Sequence, residues 1–278
     1  MMKNIMKKRN LKIFLAIVPF IILAACSKTQ EPDTAEVVNW DATNYVLYNE
    51  FMECVPGKDF SQEALDEMIA AWRDLGLSQD LLGAWGYAPA SEDNTLTNGE
   101  WELSWSSQEA ANSAWAEWMT NSDAQEWSDK YASVMQCDGE NRNGFEFVFP
   151  YDPYRFGQNP EDGSFAANFM PCTLNEGQGQ EEFSNALIAY NNWLDGLDMD
   201  AVGGFYAYGV YFPVDPESQA DYWFGNFHIN MDGMQTGMGL WDETGASTKE
   251  MLENTGTCAN PEIFQGQVFY DPNNPDFS

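Results

Sequence analysis

His228 is the single imidazole of this 278-residue chain, and it sets the first limits on the chemistry that the side chains can perform. We expect neither a histidine-based catalytic triad nor a metal site with two histidines, because the sequence lacks the imidazoles for them. His228 falls in an alternating run on a predicted strand. The residues on its side of that strand are Tyr222, Phe224, Asn226 and Asn230, and with His228 they form the candidate ligand-binding face.

The 44 Asp and Glu side chains are too numerous for their spacing to single out an acid–base pair. Asp195, Asp198 and Asp200 have a spacing that suggests calcium, but the central Gly and final Glu of a calcium-binding loop are missing. We therefore interpret them as a loop between a helix and a strand, and we predict no metal site. The glycine-rich phosphate loops and the usual nucleophile and zinc motifs are also missing from the sequence.

The balance of charge excludes one large class of partners. Twelve Lys and Arg stand against 44 Asp and Glu, which gives a formal net charge of −32. A protein that binds nucleic acid needs a basic surface to displace counterions from phosphates, so we exclude nucleic acid as a partner. The 44% of hydrophobic residues and 15% of aromatic residues are ample for a folded core.

The N-terminus has the features of an export signal, with a basic segment followed by an apolar run that ends in small residues. Leu23-Ala24-Ala25-Cys26 resembles the lipobox of bacterial lipoproteins. This resemblance implies a signal peptide over residues 1–25 and a lipid on Cys26. Ser27 stands in place of the Asp that retains such proteins at the inner membrane, which implies the outer membrane. The alternative is an ordinary cleaved signal that leaves Cys26 as a free thiol, and residues 26–42 form a flexible tether in either case.

The rest of the chain contains an internal repeat. Phe51-Met52-Glu53-Cys54 recurs 118 residues later as Phe169-Met170-Pro171-Cys172, and Cys137 recurs as Cys258 after 121 residues. Landmarks in the same order with nearly constant offsets indicate a duplication. We therefore predict a first repeat over residues 43–153, a linker over 154–164 and a second repeat over 165–278.

Hydrophobic periodicity gives both repeats the same order of elements, which is strand–helix–strand–strand–helix–strand. Trp101, Leu103 and Trp105 alternate with Glu102 and Ser104, which predicts a strand with one buried face. Strands are predicted at 45–54, 82–87, 101–105 and 145–149 in the first repeat, and at 165–172, 202–212, 222–229 and 267–270 in the second. A single helical stretch is predicted over 235–254.

This order is that of the split βαβ, or ferredoxin-like, folds. Such a sheet carries helices on one face only, so its other face needs a cover, which a second copy can supply. The arrangement resembles the dimeric α/β-barrel superfamily, in which two ferredoxin-like units pack sheet to sheet around a central cavity. We therefore predict an α+β fold of two tandem ferredoxin-like (βαββαβ) repeats packed as a pseudo-dimeric α/β barrel.

After Cys26, four cysteines remain, two in each repeat, and they allow three pairings. Zinc sites use closely spaced cysteine pairs, which are missing here, so we expect disulfides formed in an oxidising compartment. In the split βαβ fold, the first and last strands are antiparallel neighbours. A cysteine ends the first strand of each repeat and another precedes the last strand, which predicts the bridges Cys54–Cys137 and Cys172–Cys258.

We expect the face around His228 to line the barrel interior, because the more apolar Trp223, Phe227 and Ile229 on the other face should pack against helices. The barrel resemblance implies relatives among cofactor-independent oxygenases and among haem-binding or haem-degrading enzymes. Since the sequence contains no catalytic constellation, it favours a non-catalytic envelope lipoprotein without a cofactor. Its partners would be the membrane, through the N-terminal lipid, and a small molecule or an envelope protein.

The alternative is an enzyme of the cofactor-independent oxygenase class or the haem-linked class. It would act in the inter-repeat cavity, with Asn226, His228 and Asn230 as its polar residues.

Overall fold

The structure, a computed structural model, describes residues 46–158 and 160–272. The predicted signal peptide, the tether and Cys26 lie outside these residues. Within the described part of the chain, no helix is long and apolar enough to cross a membrane.

Each repeat contains the six predicted elements together with short additional ones. The first repeat consists of β1 (Leu47–Pro56), α1 (Gln62–Arg73), β2 (Leu81–Pro89), β3 (Gly99–Trp105), α2 (Gln108–Trp118), α3 (Ser122–Tyr131), β4 (Met135–Cys137) and β5 (Asn143–Val148). The second consists of β6 (Ser164–Leu174), α4 (Gln180–Asp195), a 3₁₀ turn (Met199–Val202), β7 (Tyr206–Pro213), β8 (Tyr222–His228), α5 (Met231–Thr244), α6 (Ala246–Thr255), β9 (Gly256–Cys258) and β10 (Glu262–Tyr270).

Local sequence explains where several helices begin and end. The side chain of Ser61 accepts a hydrogen bond from the backbone N–H of Ala64 and caps α1, and Asn121 caps α3 in the same way. The helical stretch that the sequence predicts over 235–254 is two helices. Gly245, a poor helix former, separates α5 from α6.

Eight strands form one closed antiparallel barrel. The order within each repeat is that of a ferredoxin-like sheet, β2-β3-β1-β5 in the first and β10-β6-β8-β7 in the second. The two sheets join through hydrogen bonds at both edges, β5 with β7 and β10 with β2, so each of these strands is paired on both sides. The predicted α+β fold of two ferredoxin-like repeats in a pseudo-dimeric barrel is therefore confirmed.

Closure of the barrel buries both faces of its strands. One apolar cluster lies between strands and helices in each repeat, and a third fills the barrel interior. On β3, Trp101 packs on the helix side, but Glu102 and Ser104 on the other face are only 1% and 2% exposed. The alternation predicts one buried face for this strand, and the other face is buried as well, because the second repeat covers it in place of water.

The two predicted disulfides are confirmed. Cys54 pairs with Cys137 where β4 lies beside β1, and Cys172 pairs with Cys258 where β9 lies beside β6. The bridges therefore tie the first strand of each repeat to the segment before its last strand. They close chain segments of 83 and 86 residues.

Candidate functional site

The carboxylate of Glu102 is buried inside the barrel and is held by three uncharged donors. The amide of Asn49 donates to Oε1 at 2.6 Å, and the hydroxyls of Tyr211 and Tyr87 donate to Oε1 at 2.9 Å and to Oε2 at 2.5 Å. The hydroxyl of Ser104 donates to Oδ1 of Asn49 at 2.8 Å, which orients that amide toward Glu102. Strands from both repeats therefore contribute to one polar cluster in an aromatic interior.

Burial dominates the protonation of this cluster. The loss of water raises the pKa of Glu102 from its ordinary 4.5 to about 7, although the hydrogen bonds from Tyr87, Asn49 and Tyr211 act in the opposite direction. Burial, followed by the negative charge of Glu102, raises the pKa of Tyr87 and of Tyr211 well above 10. The tyrosines therefore remain protonated donors, while Glu102 gains or loses a proton near neutral pH.

The two tyrosines occupy equivalent positions in the duplicated fold. The disulfide cysteine of each first strand gives a common starting point: Cys54 pairs with Gly99 on β3, and Cys172 pairs with Tyr222 on β8. The next residue along each of these strands pairs with Tyr87 on β2 and with Tyr211 on β7, so the two tyrosines are equivalent. The same count places Gly225 of β8 where Glu102 lies on β3. A Cβ atom at Gly225 would lie 2.7 Å from the ring of Tyr211, so a side chain there would displace that ring. Two equivalent hydroxyls are thus directed at a single carboxylate.

Glu102 lines a cavity of about 260 Å³ inside the barrel, which we call the interior cavity. Tyr154, between the two repeats, also lines it and is 60% exposed, which indicates where the cavity meets solvent. Aromatic side chains form most of the remaining wall, namely Trp85, Phe147, Phe149, Phe165 and Phe227. Such walls suit a planar apolar molecule, and Glu102 and Asn49 are polar groups that it would meet.

The expected orientation of β8 was wrong: the face that carries His228 lies against the helices, and the face that carries Trp223 and Phe227 lies inside the barrel. Trp223 and Phe227 belong to the apolar cluster inside the barrel, whereas Tyr222 and Phe224 pack in the cluster beneath the helices. The reason is that aromatic side chains fill the barrel as densely as they fill the helix interface. Apolar character therefore does not distinguish the two faces of this strand.

The remaining residues of the candidate face serve different roles. Tyr222 packs against Phe183 of α4, with ring centroids 4.4 Å apart. Asn230 lies beyond the strand and caps α5, where its side chain accepts a hydrogen bond from the backbone N–H of Gly233 at 2.8 Å. Neither residue lines the interior cavity.

A second cavity, of about 290 Å³, lies between the strands and helices of the second repeat, and we call it the His228 cavity. It is lined by His228, Asn226 and Phe224. Asn226 accepts a hydrogen bond from Tyr206 at 2.9 Å and donates one to Asn168 at 3.0 Å. His228 is 5% exposed, and its Nδ1 has no hydrogen-bond partner among the described residues. Burial lowers the pKa of His228 to about 4, so the imidazole is neutral at physiological pH.

No protein-family model and no curated protein matches the chain. Similar solved structures include a chlorite dismutase variant from Candidatus Nitrospira defluvii, 7% identical, with a TM-score of 0.49 over 80% of this chain and 92% of that one. A candidate monooxygenase from Lactobacillus acidophilus is 7% identical, with a TM-score of 0.47 over 81% and 95% of the two chains. An anthrone oxidase-like protein is 9% identical, with a TM-score of 0.48 over 82% and 93%. The likeness is to the dimeric α/β-barrel fold and concerns the fold alone.

Two expectations from the sequence are corrected at this point. The expectation of a non-catalytic lipoprotein rests on the lack of a catalytic constellation in the sequence, yet the folded chain brings the buried carboxylate of Glu102 together with the hydroxyls of Tyr87 and Tyr211. The expectation that no cofactor takes part is also withdrawn, because the buried and neutral imidazole of His228 has no hydrogen-bond partner at Nδ1 among the described residues.

The two cavities differ in how well they would hold a haem. The interior cavity is lined by no imidazole, and the hydroxyls of Tyr87 and Tyr211 are engaged with Glu102. The His228 cavity has a neutral imidazole with an unpartnered nitrogen, which is a suitable ligand for haem iron. A cage of three aromatic rings lies beside it, with centroids 4.8 to 5.5 Å apart, formed by Tyr190, Trp193 and Trp241. The chemistry of the imidazole suits the iron, but the space does not: the cavity lies below the range of roughly 300–1,000 Å³ that is typical of ligand sites, and Nδ1 of His228 is buried against other atoms.

Glu102 is a candidate site residue that the sequence analysis does not single out. It is one of 44 acidic residues, and its alternation with Trp101 and Leu103 shows only that it lies on the other face of the strand. The signal that identifies it is the duplication. If the second repeat covers the open face of the first sheet, an acid on that face of a central strand must be buried.

Proposed function

We propose that this protein is an enzyme that uses Glu102 as a general base on a planar, apolar substrate in the interior cavity. The observation that carries the proposal is a fully buried carboxylate with a pKa of about 7, held by two tyrosine hydroxyls within aromatic walls. A base whose pKa lies near the working pH combines the correct protonation state with a strong tendency to accept a proton. A structural carboxylate is instead neutralised by a cation, as Glu50 of the same chain is by Arg142 at 3.1 Å.

The proposed first step is the transfer of a proton from a weakly acidic C–H group of the substrate to Glu102. The C–H bond breaks, an O–H bond forms on the carboxylate, and the electron pair remains on the substrate as a delocalised anion. A carboxylate has about four lone-pair positions. Asn49, Tyr87 and Tyr211 occupy three of them, so one is left for the proton of the substrate. The tyrosine hydroxyls hold the carboxylate in place, and the aromatic walls keep water from it.

An oxygenase reaction would follow from this step with molecular oxygen as the second substrate. The substrate anion is oxidised and oxygen is reduced, so that an activated CH₂ group and O₂ give a carbonyl group and water. Anthrone is a suitable probe because it is planar and apolar and has a CH₂ group made acidic by its flanking rings. Anthrone and O₂ give anthraquinone and water.

The test measures anthraquinone formation and oxygen uptake with the full chain and with Glu102→Gln, which keeps the shape and removes the base. Removal of a general base lowers the rate roughly 100- to 10,000-fold, so we expect kcat/KM for anthrone to fall within that range. Glu146→Gln, on the exposed part of β5, is the matched control and should leave the rate unchanged. Equal rates for Glu102→Gln and the unmodified protein would contradict the proposal.

A haem-linked function is the second candidate, and the unpartnered Nδ1 of the buried, neutral His228 supports it. His228 would bind the iron once the strands and helices around this small cavity had moved apart, and the bound group would supply redox chemistry. The experiment compares visible spectra of the protein with and without added haem. We expect a Soret band that shifts or disappears in His228→Ala and is unchanged in Glu102→Gln. A spectrum that equals that of free haem would rule out this candidate.

We also propose that the enzyme is attached to the cell envelope through a lipid on Cys26, at the outer membrane in preference to the inner. The lipobox-like sequence supports the lipid, and two disulfides are typical of an oxidising compartment. Mass spectrometry of the protein from membranes should give an N-terminal fragment that begins at Cys26 and carries acyl chains. A fragment with a free thiol at Cys26 would contradict the proposal.

A further inference from the structure

A third cavity, of about 500 Å³, lies between the strands and helices of the first repeat, and we call it the tryptophan cavity. It is the counterpart of the His228 cavity in the other repeat. Its volume lies within the range of roughly 300–1,000 Å³ that is typical of small-molecule sites. Six of the eleven tryptophans of the chain line it, namely Trp72, Trp101, Trp105, Trp115, Trp118 and Trp127.

Three of these rings form a cage at the rim of the cavity, which we call the tryptophan cage. Trp115 and Trp118 of α2 have ring centroids 6.4 Å apart and planes at 73°, and Trp127 of α3 lies 5.7 Å from Trp118 at 76°. All three rings are half-buried, whereas Trp101 and Trp105 are buried. A ligand in the cavity can therefore contact the exposed parts of the cage without a change in the fold.

One ring of the cage already binds a cation of the chain itself. The guanidinium of Arg142 lies over Trp115, 4.2 Å from the centroid of the ring, and indole is the aromatic ring that attracts cations most strongly. Glu50 pairs with this guanidinium at 3.1 Å and accepts a hydrogen bond from Nε1 of Trp115 at 2.7 Å. These contacts hold the ring in place, and a pre-organised wall lowers the cost of binding a ligand.

The charged groups of the lining favour a positive ligand. Glu117 of α2 and Asp129 of α3 line the cavity and are exposed, and neither forms an ion pair among the described residues. No Lys, Arg or His is among the described residues that line it, whereas Lys249 lines the His228 cavity. With a net charge of −32 on the chain as well, the tryptophan cavity attracts cations and repels anions.

The lining suits a sugar less well, because a sugar needs a donor or an acceptor for each of several hydroxyl groups. Nε1 of Trp127 and the hydroxyl of Ser128 already donate to backbone carbonyl groups, and the amide oxygen of Asn121 caps α3. The lining therefore offers mainly aromatic faces, apolar side chains and two carboxylates. This combination suits a positive charge on an apolar molecule.

We propose that the tryptophan cavity binds an organic ammonium ion with an apolar body, such as a quaternary or tertiary amine. Its positive group lies in the tryptophan cage near Glu117 and Asp129, and its body lies against apolar side chains such as Met52 and Leu103. Cation–π attraction, charge and the burial of apolar surface all favour this binding. The site lies on the helix side of the first sheet, whereas Glu102 faces the interior cavity, so it is independent of the proposed reaction.

The test uses two probes of the same shape and different charge, benzyltrimethylammonium and its neutral carbon isostere neopentylbenzene, in calorimetric titrations of the full chain. We expect the cation to bind saturably, more tightly than the isostere, and more weakly as the concentration of sodium chloride rises. Trp118→Leu removes one aromatic face of the cage. It should raise the Kd for the cation roughly two- to thirtyfold and that for the isostere less. Trp241→Leu, in the His228 cavity, is the matched control and should change neither value.

A second pair of variants keeps the proposal testable if Trp118→Leu folds poorly. Glu117→Gln combined with Asp129→Asn removes both carboxylates of the rim at exposed positions. We expect the Kd for the cation to rise roughly two- to fivefold and that for the isostere to stay the same. Glu109→Gln combined with Glu126→Gln is the matched control, because it removes one exposed charge from each of the same two helices outside the cavity lining. It should raise the Kd for the cation less.

Three results would overturn the proposal: no saturable binding of benzyltrimethylammonium, equal affinity for the neutral isostere, or unchanged affinity for the cation in both the cage variant and the carboxylate variant. Displacement of the cation by cellobiose would also overturn it, in favour of a sugar site. Anthrone turnover should be unchanged in all these variants. Failure of this site is therefore distinguishable from failure of the one at Glu102.

Discussion

Glu102 of β3 and Gly225 of β8 hold the same place in the two repeats, and only Glu102 carries a carboxylate into the barrel. The tyrosines that bind this carboxylate are also equivalent to each other, one from each repeat. The duplicated fold therefore supplies two equivalent tyrosine hydroxyls as hydrogen-bond donors. The acid is present once, because the position equivalent to Glu102 in the second repeat is a glycine. Because of this arrangement, the acid and each donor can be altered separately.

The first prediction concerns the protonation of Glu102. Because burial raises its pKa to about 7, its carboxyl group should still be largely protonated at pH 6. Infrared difference spectra across a pH titration should show a protonated carboxyl band that disappears with a midpoint near pH 7. Glu100, whose pKa burial also raises to about 7, contributes to this band, so the signal of Glu102 is the part that is lost in Glu102→Gln. A midpoint near the ordinary 4.5 for that part would contradict the burial argument.

The second prediction links the same pKa to stability. Glu102 binds its proton more tightly in the folded chain than in the unfolded chain, so its contribution is full below pH 4.5 and is lost as the pH rises to about 7. A pKa change of this size corresponds to roughly 3 kcal/mol. We expect the free energy of unfolding to decline less between pH 4.5 and 8 in Glu102→Gln than in the unmodified protein. If the free energy of unfolding, measured by urea denaturation, declines equally in both proteins, the carboxyl group of Glu102 titrates at its ordinary pKa in the folded chain.

The third prediction concerns the two tyrosines. Their hydrogen bonds stabilise the charged carboxylate, so Tyr87→Phe and Tyr211→Phe should each raise the pKa of Glu102 further. The pH at which anthrone turnover is half-maximal should move upward in both variants. Tyr208→Phe is the control, because the hydroxyl of Tyr208 donates to Asn191 on the helix side and does not touch Glu102. A pH profile that does not move in either variant would remove the tyrosines from the site.

The fourth prediction concerns the disulfides. Each bridge closes a segment of more than eighty residues, and the chain-entropy model gives about 4 kcal/mol for such a loop. Replacing Cys54 and Cys137 together by Ala should lower the free energy of unfolding in urea by about that amount, and so should the pair in the second repeat. A loss below about 1 kcal/mol would mean that the unfolded chain is constrained by other means.

The fifth prediction concerns salt. The 12 Lys and Arg are few against 44 Asp and Glu, so like-charge repulsion should destabilise the fold in dilute buffer. The Debye length falls from about 30 Å at 0.01 M salt to about 3 Å at 1 M. We expect Tm to rise between these concentrations of sodium chloride. A flat or falling Tm would indicate local compensation by bound divalent cations, and a chelator at fixed ionic strength would then lower Tm.

The order of elements and the disulfide pairing could be predicted because they depend on local patterns. Apolar periodicity distinguishes helices from strands, and repeated landmarks such as Cys54 and Cys172 reveal the duplication. The topology that follows from this order brings each cysteine to its partner. The helix break at Gly245 was missed, because an isolated glycine is tolerated within a helix and does not by itself indicate a break.

The orientation of the strands and the position of the site were decided by the tertiary structure. Alternation along a strand defines two faces but does not state what covers each, so the sequence analysis placed His228 in the barrel and did not single out Glu102. The closed barrel instead holds Glu102 inside and His228 beneath the helices, because the second repeat covers the inner face and helices cover the outer one. The sequence by itself determined two ferredoxin-like repeats with two bridges. Only closure of the barrel removed water from Glu102, and that removal raises its pKa to the range in which it can act as a base.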